Sequence, residues 1–213
     1  ADQHVVKGRL TAVANSPVCG ATPSHCLLIS KAETPLVGRK FGHMNGAQNF
    51  RDRLPSPVRR YLDLALPERP SAQVPASLVF SQSGTLRTST SSSRWLPFSA
   101  THDVRPLANE FSWTASVRLA PFIHLSVRDS FRLGQGVGEV RLGWLRLGHD
   151  AGSPQINSGS LHRFLAEAVF YPWALLPSSA LKWTPIDESR ALATLTVGAT
   201  EVSLEFRFEL GGQ

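Results

Sequence analysis

Residues 111–132 read FSWTASVRLAPFIHLSVRDSFR and decide the fold class. Apolar side chains occupy every second position over residues 111–119, and they do so again over residues 123–131 except at position 129. This alternation is typical of a strand with one buried and one solvent-facing side, which antiparallel sheets commonly contain. The segment therefore predicts two antiparallel strands.

The same alternation recurs on both sides of this segment, most clearly over residues 202–210. Further strands are predicted at residues 78–83, 95–104, 139–147, 181–186 and 191–197. Glycines separate them as turns, among them the run Gly134-Gln-Gly136-Val-Gly138. The count predicts an α+β fold: an open half-barrel, in which one curved antiparallel sheet of about eight to eleven strands wraps one or two helices.

Two helices are predicted. Ser56 as N-cap and Pro57 at the first helical position begin a helix with one apolar stripe, as expected of a scaffold helix packed on a sheet. The second helix is predicted over residues 158–177, SGSLHRFLAEAVFYPWALLP. It is apolar nearly all the way round, with Leu161, Leu165 and Ala168 on one side, so burial on both sides is expected.

Three charged residues break these apolar patterns. Arg163 and Glu167 lie one turn apart on the second helix, where burial requires a partner, a water pocket or a ligand. They either pair with each other or face a pocket. Asp129 occupies one of the alternating positions of its strand that are otherwise apolar. It therefore either binds backbone amides of the next turn or lines that same pocket.

Aromatic residues supply candidate walls for a pocket between sheet and helix. The five tryptophans, Trp95, Trp113, Trp144, Trp173 and Trp183, are predicted to be mostly core or cavity wall. Ligand-binding candidates are Phe111, Trp113, Phe170 and Trp173, with Arg163 holding an acidic head group by a bidentate contact. Asp187 is a further ligand-binding candidate, although a solvated strand-end cap is its ordinary interpretation.

Two functions from different classes follow. The first is binding or carriage of an apolar or amphipathic small molecule in that cavity. The alternative is a cofactor-independent enzyme with Asp129 or Glu167 as general acid or base, since burial raises the pKa of a carboxyl group. Asp129 is the better candidate because Arg163 shares a helix with Glu167. A structural role stays open, no cofactor is expected, and the standard catalytic motifs are missing from the sequence.

The charge balance bears on partners. The chain has a net charge of +6 and a sequence pI of about 10.0, a balance that suits nucleic acid or an anionic membrane surface. Most of its arginines are scattered singly, for example Arg118, Arg128 and Arg132, and no run of five Lys or Arg residues occurs. A solvated basic surface is therefore expected, without nucleic acid as a partner, and peripheral membrane contact stays open.

The first 42 residues are expected to form a hairpin extension, with the half-barrel domain over residues 43–213. Within the extension, Cys19 and Cys26 flank a Pro- and Gly-containing turn, so they either close a small disulfide or remain free thiols. A zinc site would need two more ligands, and none is predicted. The Ala-Asp-Gln start agrees with a processed export signal, so an exported, periplasmic location is expected, with a cytoplasmic one open.

Several strings in the same order resemble an uncharacterised bacterial family that is known only as a domain of unknown function. They are LPSPVRRYL, RWLPFSA, FSWTASVRL, VRDSFRLGQGVGEV, SLHRFLAEAVFYPWALLPS and LKWTPID, spread over residues 54–211. The resemblance implies a half-barrel similar to lipoprotein carriers, with no established activity. It maps the family's Arg, Glu and Asp positions onto Arg163, Glu167, Asp129 and Asp187. The family more often shows Trp-Phe/Tyr-Pro-Thr-Ala where this chain has Phe-Tyr-Pro-Trp-Ala at residues 170–174.

Overall fold

The computed structural model describes residues 10–13, 53–66, 74–87 and 93–208. Within these ranges the chain forms ten strands and two α-helices, and every strand pairs with its neighbours in antiparallel fashion. The predicted α+β class with antiparallel strands is thereby confirmed. No helix in these ranges is long and apolar enough to span a membrane.

The strands are β1 Leu10–Val13, β2 Leu78–Leu86, β3 Leu96–Arg105, β4 Glu110–Ala120, β5 Ile123–Arg132, β6 Gln135–Leu142, β7 Leu145–Ala151, β8 Leu181–Pro185, β9 Arg190–Val197 and β10 Thr200–Phe208. The helices are α1 Ser56–Ala65 and α2 Pro154–Glu167.

The strands form two sheets, whereas the sequence predicts one. Six strands lie in the order β2-β3-β4-β5-β6-β7, and four lie in the order β1-β10-β9-β8. Alternation shows that each strand has a buried face, but it does not show which strands share a sheet. The chain accordingly divides into a six-stranded unit, described at residues 75–87 and 93–164, and a four-stranded unit, described at residues 10–13, 53–66, 74 and 165–208.

The six-stranded unit is an uninterrupted meander. Its buried side chains follow the predicted alternation, for example Phe111, Trp113 and Val117 along β4. Helix α2 packs closely against β6, because a Cβ atom on Gly136 would lie only 2.7 Å from the backbone oxygen of Ile156. The absent side chain at Gly136 therefore lets helix and sheet approach each other.

Two predicted boundaries in this unit are wrong. Residues 139–147 do not form one strand, because the chain reverses between β6 and β7 at Gly143–Trp144, where Gly143 takes a φ of 58°. Gly136 and Gly138 lie within β6, where a turn is predicted. Glycine usually marks a turn, but here two of the glycines make room for α2.

Helix α2 differs from its prediction at both ends. It begins at Pro154, where the Oγ of Ser153 accepts a hydrogen bond from the Ile156 amide, and it ends at Glu167. Two 3-10 turns follow, Ala168–Phe170 and Pro172–Leu175. A proline has no amide hydrogen and does not fit inside a helix, so the predicted continuation through Pro172 fails. The predicted apolar side is buried, as the sequence indicates (Leu161, Leu165 and Ala168).

In the four-stranded unit, α1 buries the side chains of Val58 and Leu62. Pro55 stands at the cap position and Ser56 is the first helical residue, so Ser56 is not the predicted cap, and its Oγ accepts a hydrogen bond from Arg60. Tyr61 donates a hydrogen bond to the carbonyl of Val169 at 3.2 Å, and burial raises its pKa to about 12. The phenol therefore stays protonated at neutral pH.

Strand β1 pairs with β10 in this four-stranded sheet, with Leu10 opposite Phe208. The rest of the predicted N-terminal extension lies outside the described residues, and so do Cys19 and Cys26. The division at residue 42 and the disulfide stay predictions.

Candidate functional site

Asp129 faces α2 from the middle of the six-stranded sheet. It lies in β5 between Trp113 of β4 and Gly138 of β6. Its Oδ2 lies 2.7 Å from Nη1 of Arg163, and its Oδ1 accepts a hydrogen bond from Ser160 at 3.0 Å. Only 18% of the Arg163 side chain and 14% of the Asp129 side chain are exposed. Asp129 therefore holds the helix, which favours the inward orientation over a turn cap.

Two of the predicted wall residues contact this ion pair. The Arg163 guanidinium lies 4.6 Å from the centre of the Trp113 ring and 5.5 Å from that of Phe111. A cation over an aromatic face is attracted by the ring's negative charge density. Trp113 is held in turn by a buried 2.7 Å hydrogen bond from its Nε1 to Oε1 of Gln82. The structure thus brings together Phe111, Trp113, Asp129 and Arg163.

His102 is buried beside this group, on β3. Its ring centre lies 5.6 Å from that of Phe111, edge to face, and 6.1 Å from that of Phe80. Burial, with a smaller contribution from the positive charge of Arg163, lowers its pKa from 6.5 to about 3. His102 is therefore an uncharged imidazole at neutral pH.

Because His102 is buried as an uncharged imidazole, the folded protein is expected to lose stability in acid. The unfolded chain binds a proton at His102 near pH 6.5 and the folded chain only near pH 3, so this contribution to stability is complete above pH 6.5 and is lost as the pH falls toward 3. The slope is about 1.4 kcal/mol per pH unit. Between pH 7.5 and 4.5 in urea unfolding, His102→Phe is expected to lose about 3 kcal/mol less stability than the parent chain. His124→Asn, on an exposed side chain, serves as the control, and equal losses in His102→Phe and the parent would contradict the assignment.

Gln82 and His102 are not among the site residues predicted from the sequence, although a signal for both exists. Each lies in the apolar phase of its strand, as Asp129 does: Gln82 follows Leu78 and Phe80 at a spacing of two, and His102 precedes Val104. A polar residue in a buried phase needs a partner inside the protein. The same test applied to β2 and β3 would have found them.

The other predicted site residues belong to the four-stranded unit. Glu167 ends α2, Phe170 is exposed, and Trp173 is half-buried on a 3-10 turn. Asp187 caps the turn between β8 and β9, where the Ser189 amide and Arg190 Nε donate to its carboxylate. These two contacts lower its pKa to about 2. Asp187 thus has the geometry of the ordinary strand-end cap.

The ion pair limits the chemistry that its carboxylate can perform. Both oxygens of Asp129 accept hydrogen bonds, and the charge of Arg163 is offset by a carboxylate at contact distance. Asp129 is preferred to Glu167 in the sequence because Arg163 is expected to lie near Glu167. In the structure, however, Nη1 of Arg163 binds Asp129. The acid–base roles of Asp129 and Glu167 stay predictions. Among the described residues, no three His, Cys, Asp or Glu side chains gather as metal ligands would.

Two depressions lie on the six-stranded unit, and neither is lined by a site residue predicted from the sequence. The larger, about 400 Å³, is called the edge groove, and it is lined by Arg94, Trp95, Leu96, Pro97, Arg118, Leu119, Ala120 and Pro121. The smaller, about 210 Å³, is lined by Ser126, Arg128, Glu139 and Arg141. In the smaller one, a hydrogen bond from Arg141 lowers the pKa of Glu139.

The edge groove exists because β3 and β4 separate at one end. Their ladder stops at Phe98 opposite Val117, and the next residue, Pro97, has no amide hydrogen to contribute. A β-bulge shifts the register of β4 between Arg118 and Ala120. Across the opening, Nη2 of Arg94 donates a 2.7 Å hydrogen bond to the carbonyl of Leu119. The proline and the bulge therefore mark the point where β3 and β4 stop pairing, and Arg94 bridges the gap between them.

Comparison with known proteins identifies the family and no activity. No curated protein and no solved structure matches the chain. The sequence profile of the Family of unknown function (DUF6544) matches residues 45–213, which agrees with the resemblance of the motifs to such a family. The chain therefore belongs to this family of unknown function.

Proposed function

We propose that this protein binds an amphipathic small molecule with an anionic head group in the edge groove. The observation that carries the proposal is an open depression of about 400 Å³ that is lined by apolar residues together with two arginines. Small-molecule sites are mostly apolar clefts of this order of size with a few polar groups that fix orientation. The ligand class is the one expected from the sequence, and the site is a different one.

The edge groove is lined by apolar residues and by two arginines. Leu96 is buried, and Leu119 and Ala120 are half-buried, so they form an apolar floor. The guanidinium groups of Arg94 and Arg118 belong to exposed residues at its rim. A carboxylate or phosphate head group would meet these guanidiniums, while a hydrocarbon chain would cover the floor.

Arg163 suits this ligand less well than the groove arginines do. Its Nη1 is bound by Asp129, so an anion would have to compete with a carboxylate already at 2.7 Å. Removing one member of a buried ion pair is costly, which opposes such an exchange. The half-barrel shape and the exported location stay predictions, and the proposal does not depend on them, because the groove belongs to the six-stranded unit alone.

The test is fluorescence titration of the protein with a dansyl-labelled fatty acid. Saturable binding is expected, and Arg118→Glu is expected to weaken it about tenfold, because the head group then meets a negative charge. The same probe with an alcohol in place of the acid is expected to bind more weakly than the acid.

Arg132→Glu is the matched control, since it makes the same charge change on an exposed residue at the opposite end of β5. Its dissociation constant is expected to stay within about twofold of the parent value. Binding that does not saturate, or equal weakening by both substitutions, would refute the groove as the site.

A further inference from the structure

We infer that one edge of the six-stranded sheet docks on the surface of an anionic lipid bilayer. The surface meant is the end of the sheet at which the strands turn, not an outermost strand, and it is called the tip edge. It is defined by three aromatic residues in the connections at that end of the meander. Trp95 precedes β3, Phe122 lies in the β4–β5 turn, and Trp144 lies in the β6–β7 turn. The inference deepens the proposed function, because it names the source of the amphipathic ligand as a membrane beside the edge groove.

The topology places these three residues at the same edge. In an antiparallel meander, every second connection returns to the same end of the sheet, and these are the first, third and fifth connections. The register agrees, since Phe98, Val117, Leu125 and Leu142 lie opposite one another in successive strands. Each aromatic residue is two or three positions beyond this row. With about 4.8 Å between strands, the three tips spread over roughly 20 Å.

The three rings are exposed to solvent. The exposed fraction is 99% for Phe122, 92% for Trp144 and 55% for Trp95. Four aliphatic residues beside them are exposed as well, namely Ile123, Leu142, Leu145 and Leu147. Scattered single exposed apolar residues are ordinary, but a row of them at one edge indicates an interaction surface.

Phe122 occupies a backbone conformation that disfavours it. Its φ is 65°, and it follows Pro121 in a two-residue turn. A left-handed residue after proline in a turn is usually glycine or asparagine, because a bulky side chain is strained there. The fold therefore bears a conformational cost at a position where the side chain makes little contact with the protein, so packing within the fold does not account for a phenylalanine there.

Positively charged residues are concentrated toward the tip edge. The sequence contains no Asp or Glu over residues 84–102, 111–128 and 140–149, which carry these three connections and the neighbouring halves of the strands. The same stretches contain six arginines, Arg87, Arg94, Arg118, Arg128, Arg141 and Arg146. Glu139, just outside them, contacts Arg141 and Arg146 at 2.8 and 2.9 Å. Acidic residues lie toward the opposite edge, among them Glu110 and Asp150.

Exposed aromatic tips with arginines behind them fit a bilayer surface of anionic lipid. Tryptophan favours the membrane–water interface, where its ring is half in hydrocarbon and its N–H meets polar groups. Basic residues within a Debye length are attracted to anionic head groups. Trp95 also lines the edge groove, so a bound bilayer would adjoin that groove.

The test is co-sedimentation of the full chain with vesicles of phosphatidylcholine alone or mixed equally with phosphatidylglycerol. Binding is expected for the mixed vesicles only, and it is expected to weaken as salt is raised. Phe122→Asn and Trp144→Ser are each expected to lower the partition coefficient about tenfold, because each removes one inserted side chain. Phe122→Asn suits the left-handed turn, so this variant is expected to fold at least as stably as the parent.

Leu133→Asn is the matched control, since Leu133 is also a turn residue with positive φ, 92% exposed, at the opposite edge. It is expected to leave vesicle binding unchanged. Binding that is lost equally in the control, or that depends on salt but not on the tip residues, would overturn the inference. So would stronger binding to single-stranded DNA than to the mixed vesicles in competition.

The outcomes separate this inference from the proposed function. Trp144 does not line the edge groove, so Trp144→Ser is expected to lose vesicle binding and retain the parent affinity for the dansyl-labelled fatty acid. A chain that binds the fatty acid and no vesicles refutes the docking edge alone. A chain that binds vesicles through its tips and no fatty acid refutes the groove alone.

Discussion

Asp129→Leu is expected to lower the free energy of unfolding by about 3 kcal/mol. The change removes the carboxylate that binds Nη1 of Arg163 at 2.7 Å and strands a guanidinium of which only 18% is exposed. Its positive charge would then have to be desolvated without this partner. Ser160 would also lose the acceptor of its 3.0 Å hydrogen bond.

Urea unfolding of single and double variants measures this effect. Asp129→Leu with Arg163→Met removes both charges, so the double variant is expected to be more stable than Asp129→Leu alone. The control is Arg105→Leu, which removes a half-exposed arginine from a longer 3.5 Å pair with Glu110 and is expected to cost less than about 1 kcal/mol. If the effects of the two single substitutions simply added in the double variant, the coupling of Asp129 to Arg163 would be refuted.

Gly136→Ala is expected to destabilise the six-stranded unit by about 3 kcal/mol, at the upper end of the range for overpacking. The new Cβ would lie 2.7 Å from the carbonyl oxygen and 2.9 Å from the carbonyl carbon of Ile156. Both are backbone atoms of α2 and cannot rotate away. Gly136 also donates its amide to Oδ1 of Asn157 at 2.7 Å, so separating strand and helix would break that hydrogen bond as well.

Gly138→Ala, two residues along the same strand, provides the matched control. Its Cβ would meet the terminal Cδ1 of Ile156 at 3.1 Å, and a side-chain methyl group can move. A cost below about 1 kcal/mol is expected there, measured by thermal and urea unfolding of both variants. Equal costs at the two glycines would show that the close approach of backbone to backbone does not limit the packing.

A sequence pattern predicts structure best where it is local and has a single structural cause. Alternation identifies the buried faces of β4, β5 and β10, and the apolar stripe on α2 identifies its buried side. It also singles out Asp129, because a carboxylate among inward-facing apolar side chains must find a partner. The partner of Asp129 is not local in sequence, because Arg163 lies 34 residues away. In the sequence, Glu167 is an equally good partner for Arg163.

The burial of the tip residues was predicted wrongly for a different reason. Trp95 and Trp144 are predicted to be core or cavity wall because tryptophan is usually buried, and both are exposed. The hairpin at Gly143–Trp144 is hidden within an apparent single strand, LGWLRL, that keeps its apolar character through the turn. An apolar turn resembles a strand in sequence, so the row of tips is visible only after the strands are paired.

The amino-acid sequence by itself determined the α+β class, the strands with one buried face and the apolar side of α2, and it singled out Asp129 as the residue that breaks the apolar pattern of its strand. These follow from periodicity and side-chain chemistry over a few neighbouring residues. Only the tertiary structure decided the division into two sheets, the pairing of Asp129 with Arg163, the groove beside Pro97 and the alignment of the three tips. Each of these depends on which distant strands become neighbours, and a period-two pattern is the same for every possible neighbour.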